Sequence, residues 1–150
     1  METNKPEKAN KMDIKKMTAL AMFSVIALTI FTAESMIGPI VPIPGIKLGL
    51  ANIVTLLVLV LYGPKEAVFV LIVRILLGSM FGGQMISFFY SLSGGILCWL
   101  VMSLISALLK KKFLVLISMC GAAAHNIGQI LAAIVITHSI SVVAYLPVLM

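Results

Sequence analysis

Residues 17–35 read "MTALAMFSVIALTIFTAES", nineteen positions with no charge until Glu34. At 1.5 Å per residue such a helix is about 28 Å long, enough to cross a hydrocarbon core of about 30 Å. The rest of the chain is of the same kind. Of its 150 residues 61% are hydrophobic and 11% charged, with a mean hydropathy of +1.18. A soluble domain of this size could not cover that much apolar side chain and would expose large adhesive patches. The composition therefore predicts an all-α integral membrane protein.

The net charge of +6 does not point to nucleic acid. The lysines gather at positions 5–16 and 110–112, flanking apolar runs, which is how topology is signalled in membrane proteins. Cys98 and Cys120 lie inside apolar segments without CxxC spacing and read as packing residues. The first apolar run follows a polar stretch of about 16 residues and lacks a small-residue cleavage pattern, so it is expected to stay as the first membrane helix.

Residues 1–16 form a polar cytoplasmic tail and residues 17–150 a single transmembrane domain. Helices are expected at about 17–35, 48–62, 67–81, 85–109 and 113–137. Gly38, Pro39, Pro42, Pro44 and Gly45 separate the first two, and the turn "GPKEA" at 63–67 places a proline to start the third. "GSMFGGQ" at 78–84 is a glycine break. After His138, "SISVVAYLPVLM" starts a sixth apolar segment, shorter than a span within this sequence. With the amino terminus inside, nine lysines are cytoplasmic and only Lys47 faces out. Six membrane segments is the natural count.

Ionisable side chains cost a few kcal/mol in hydrocarbon and persist where they face a cavity or a partner. Glu34, Lys47, Arg74 and His125 qualify. Glu34 and Lys47 either snorkel to the outer interface, pair with each other, or face a site. Arg74 either snorkels toward cytoplasmic headgroups or binds a carboxylate, backbone carbonyls or an anion within the bundle. "GAAAHNIGQI" at 121–130 puts His125 and Gln129 on one helical face with Asn126 beside them. Gly121, Ala124 and Gly128 let a second backbone approach. These polar groups either fix helix packing or form a wall for a bound solute. Tyr90, in "FFYSLSGG" at 88–95, belongs either to an interfacial aromatic belt or, turned inward, to that wall. Asn52, near the start of the second helix, completes the candidate set.

Catalytic machinery is not visible. The glycine pairs at 82–83 and 94–95 lack the lysine and hydroxyl of a nucleotide loop. Asp13 is the lone aspartate, and Glu34 and Glu66 are the acids beyond the tail, too few to hold magnesium on a diphosphate. His125 and His138 stand thirteen residues apart without an acidic neighbour, so neither a metal nor a cofactor is expected.

The segments "PGIKLGLANIVTLL", "RILLGSMFGG", "FFYSLSGG", "GAAAHNIGQI" and "YLPVL", in that order after "ES" at 34–35, resemble the bacterial family called heptaprenyl diphosphate synthase component I, also labelled the Gx transporter family. That family is similar to the substrate-binding S components of energy-coupling-factor transporters. These are six-helix proteins of the cell membrane that capture a small molecule from outside and work with a coupling subunit and ATPases. The enzyme label implies instead a non-catalytic membrane subunit for a soluble prenyl diphosphate synthase in menaquinone biosynthesis. Family members run further after "YLPVL", so the sixth helix is expected to be incomplete in this sequence. The transporter implication carries the expectation that follows, and a diphosphate would also suit Lys47 and Arg74. A small, anionic or amphipathic solute meets Glu34, Lys47, Asn52, Arg74, Tyr90, His125, Asn126 and Gln129 in a chamber near the outer face, under a lid made by the proline-glycine loop.

Overall fold

The computed structural model of the chain describes residues 14–36, 47, 49–82, 85–109, 113–145 and 147. The described residues fold into five α-helices, α1 (Ile14–Met36), α2 (Asn52–Leu61), α3 (Pro64–Gly82), α4 (Met85–Leu108) and α5 (Leu114–Thr137), and a 3-10 helix at Ile140–Tyr145. Helices α1, α4 and α5 are long and apolar enough to cross a membrane.

Four helices form a row. Helix α1 packs on α3, α3 on α4, and α4 on α5, while the ten-residue α2 lies across them and touches all four. Only about 15 Å long, α2 cannot cross a bilayer, so its amino end stops inside the bundle. The main core cluster joins Leu20 and Ala27 of α1, Val54 and Val58 of α2, Val70 of α3, Met102 of α4 and Ile117 of α5. Large apolar side chains such as Ile26, Phe69, Leu104 and Leu131 are exposed, as helices facing lipid require. Polar residues take the reverse position, with Ser24, Thr55, Ser91 and Ser106 buried.

The α4–α5 seam is the closest in the bundle because small residues meet there. A Cβ on Gly128 would stand 2.8 Å from Gly94 Cα, and Ser93 Oγ donates to the Gly128 carbonyl at 2.8 Å. Where the chain turns between α2 and α3, Gly63 takes a φ of 111°, which only glycine adopts readily. Trp99 Nε1 donates to the Pro64 carbonyl at 3.0 Å, tying α4 to this turn. Nearby, Lys16 pairs with Glu66 and Phe23 meets Tyr62 edge-on with centroids 6.2 Å apart.

Several boundaries differ from the sequence expectation. Helix α1 is already helical at Ile14, the first described residue of this stretch, and Lys16 within it reaches Glu66. Helix α2 begins at Asn52 rather than near 48, since Gly49 takes a φ of 79° and turns the chain. Helix α3 starts at Pro64, where a missing N–H costs nothing, and runs on through Gly78. That glycine is no break: a Cβ there would stand 2.3 Å from the Phe31 ring, so it makes room for α1. A sixth spanning helix is not found among the described residues. His138 caps α5 in the left-handed region with a φ of 51°, and residues 140–145 then form a 3-10 helix against α5. The tail to residue 13, the proline-glycine loop at 38–45, Gly83 and the triple lysine at 110–112 lie outside the described residues.

Candidate functional site

The amino end of α2 is a backbone problem before it is a site. A helix that begins inside a bundle leaves amide groups that lipid cannot satisfy. The chain answers with a turn, in which the Asn52 and Ile53 amides donate to the Gly49 and Leu50 carbonyls at 2.9 and 3.1 Å. A carboxylate completes it: the Gly49 amide donates to Glu34 Oε1 at 2.5 Å. Glu34 is thus held at the carboxyl-terminal end of α1 by the backbone it satisfies.

Gly49 also admits the histidine. A Cβ on Gly49 would stand 2.7 Å from His125 Nε2 and 2.9 Å from Asn52 Nδ2. On the opposite side of the ring, a Cβ on Gly94 would stand 2.8 Å from His125 Nδ1 and 2.9 Å from Gln129 Cγ. The imidazole is therefore clamped between two glycines, one from the turn before α2 and one from α4, with Gln129 a turn further along α5.

Arg74 enters from α3. Its Nη2 donates to Asn52 Oδ1 at 2.5 Å, and the residue is only 3% exposed. Its Nε and Nη1 have no hydrogen-bond partner among the described residues, nor do Glu34 Oε2, either His125 nitrogen or either end of the Gln129 amide. Buried polar groups are ordinarily satisfied, because each unsatisfied one costs about 1–3 kcal/mol. So many in one place suits a polar partner from outside the fold. A cavity of about 170 Å³ adjoins the cluster at Gly49, Asn52 and Cys98.

Lys47 stands at the edge. It does not form an ion pair with Glu34; its Nζ donates to Ser35 Oγ at 2.5 Å and sits 3.4 Å from the centroid of the Phe31 ring, a cation–π contact. Burial pushes its ammonium down from the usual 10.5 to about 8, with Glu34 opposing the shift and Arg74 adding to it. The three charges thus act on one another.

Six of the eight candidate residues, Glu34, Lys47, Asn52, Arg74, His125 and Gln129, come together in this way. Tyr90 is turned inward, 2% exposed, but packs with Ile130, Ala133 and Val142 in a second apolar cluster. Asn126 is buried beside His125. Sequence reasoning missed Phe31 and Ser35, which hold Lys47, and Gly49 and Gly94, which clamp His125. The available signal was Gly49 within "PGIKLGLANIVTLL" and Gly94 within "FFYSLSGG", readable as close approach only once the pairing of helices is known. Among the described residues, no three His, Cys, Asp or Glu side chains gather as a metal centre would need. The cluster offers charge and hydrogen bonds, which suit binding.

No curated protein and no solved structure matches this chain. Residues 23–150 match the family described as heptaprenyl diphosphate synthase component I. With that match over most of its length, and with apolar helices long enough to span a bilayer, the chain is a helical membrane protein that belongs to the heptaprenyl diphosphate synthase component I family.

Proposed function

We propose that this chain is the membrane-embedded, solute-binding subunit of a small-molecule uptake system, comparable to an S component. It holds a small oxyanion-bearing solute at the cluster of Arg74, Asn52, His125, Gln129 and Glu34 and hands it inward with coupling and ATPase subunits. The observation that carries this reading is Arg74, a 3% exposed residue whose guanidinium has one hydrogen-bond partner among the described residues, Asn52. A buried cation left so incompletely paired is expensive unless something else pairs with it. Lys47 would raise the local concentration of anions at the outer edge. The chain would lie in a bacterial inner membrane with its amino terminus cytoplasmic, an orientation supported by the lysine distribution.

The family description favours a second reading, in which the chain anchors a soluble prenyl diphosphate synthase and handles an isoprenoid diphosphate. Arg74 and Lys47 would suit a diphosphate equally. Mass spectrometry of small molecules carried through purification of the full chain, with identification of co-purifying proteins, separates the two. ATPase and coupling subunits are expected under the first reading, an aspartate-rich soluble synthase under the second. Calorimetry with the identified solute should show binding weakened by Lys47→Ala and by Arg74→Ala. Binding untouched by both changes would remove the site from consideration.

A further inference from the structure

The cluster carries both signs of charge, and this narrows the solute. Arg74 gives one Nη2 proton to Asn52 Oδ1. A guanidinium can grip two oxygens at once along either of two edges, Nε with Nη2 or Nη1 with Nη2, and each edge uses a different Nη2 proton. Asn52 therefore occupies one edge and leaves the other whole, since Nε and Nη1 are both without a partner among the described residues. The same cluster holds a carboxylate with one oxygen committed. Glu34 Oε1 accepts from the Gly49 amide, while Oε2 is buried without a partner among the described residues. The two groups are linked through one turn, because Gly49 binds Glu34 and its carbonyl accepts from the amide of Asn52, which binds Arg74.

A simple anion would meet Glu34 as well as Arg74, and a simple cation the reverse. We propose that the cluster takes an amphoteric solute, with a carboxylate or phosphate head in the open fork of Arg74 and an amine or other N–H donor on Glu34 Oε2. His125 and Gln129, both nine-tenths or more buried and able to donate and accept, would meet polar atoms between the two ends. This rests on the solute-binding reading above and deepens it.

The test uses the full chain in lipid nanodiscs. Two pools are compared for thermal stabilisation and then titrated compound by compound: amino-carboxylates with amino-phosphates, and the same compounds without the amine. The amine-bearing pool is expected to bind about ten- to a hundredfold more tightly, the range of one or two charged hydrogen bonds. Glu34→Gln should erase that preference, since glutamine keeps an acceptor for the Gly49 amide and drops the charge. If Glu34→Gln does not yield monodisperse protein, Arg74→Lys is read instead. It keeps the charge, loses the fork, and should weaken both pools about tenfold or more. Equal binding of the two pools overturns the amphoteric assignment and leaves solute binding standing. Failure of both pools beside a purely anionic solute carried through purification overturns it too. Failure of both pools with no solute carried through overturns this inference and the solute-binding reading together.

Discussion

Arg74 Nη2 lies 2.5 Å from Asn52 Oδ1, and this is the guanidinium's one hydrogen bond among the described residues. The contact ties the middle of α3 to the first turn of α2, so one pair carries both the position of a charge and the start of a broken helix. The roles separate on substitution. Asn52→Ala should cost about 1–3 kcal/mol, because it strands a buried charged donor. Arg74→Met should cost less, because it removes a desolvated charge and strands only a neutral amide oxygen. Thermal midpoints in one detergent give the comparison. A loss with Arg74→Met as large as that with Asn52→Ala would make the arginine a structural brace.

The α4–α5 seam supplies a second prediction. At Gly128 an added Cβ meets backbone, 2.8 Å from Gly94 Cα and 2.9 Å from the Ser93 carbonyl oxygen. Neither atom can yield without moving a helix, so Gly128→Ala should cost about 1–3 kcal/mol. At Gly95 the added atom meets only the ends of Leu71 and Ile75, at 3.0 and 3.1 Å. Those side chains can turn, and alanine gains up to about 1 kcal/mol in helix propensity. Gly95→Ala should leave the melting temperature within a few degrees of the parent.

Much of this fold was legible in the sequence because lipid imposes a simple rule: long apolar runs between charges become helices. The runs that became α1, α4 and α5 follow it closely. Residues that break the rule, Glu34, Arg74 and His125, correctly marked where helices meet, since nothing else offsets their burial. Pairings were not legible. Lys47 meets Ser35 and Phe31 rather than Glu34, and one oxygen of Glu34 meets the Gly49 amide instead, a demand created by a turn no local pattern announces. Gly78 lies inside the expected third helix, but that it seats Phe31 was not legible, since a glycine's role depends on the neighbour that approaches it. The apolar residues after His138 read as the start of a span, but length and hydropathy alone could not foresee the 3-10 helix at Ile140–Tyr145.

Orientation can be read chemically. Lys65 stands at the start of α3 and Met80 near its end, and both are exposed. In a Cys98→Ala, Cys120→Ala background, Lys65→Cys should be labelled by a membrane-impermeant thiol reagent only after the cells are opened. Met80→Cys should be labelled in intact cells. The lysine bias predicts this arrangement, and the opposite labelling pattern would invert the topology and place the cluster toward the cytoplasm.

Lys47 gives the pH dependence, and its sign follows from the direction of the shift. Burial holds its ammonium at about 8 against an ordinary 10.5, so between those values the unfolded chain binds the proton and the folded chain does not. Stability contributed by this group therefore rises as pH climbs from about 8 to 10.5, and the cost of burying the charge is fully present below 8. Binding should move the other way. An anionic solute attracted by Lys47 loses that attraction as the lysine discharges, while Arg74 stays charged. Affinity measured by calorimetry should fall between pH 7 and 9, and Lys47→Met should flatten the profile at the weaker, high-pH value. Lys47→Arg should keep the low-pH affinity across the range, because a guanidinium does not discharge there. A parent profile flat from pH 7 to 9, or one that the methionine variant still follows, would move the charge that draws the anion away from Lys47.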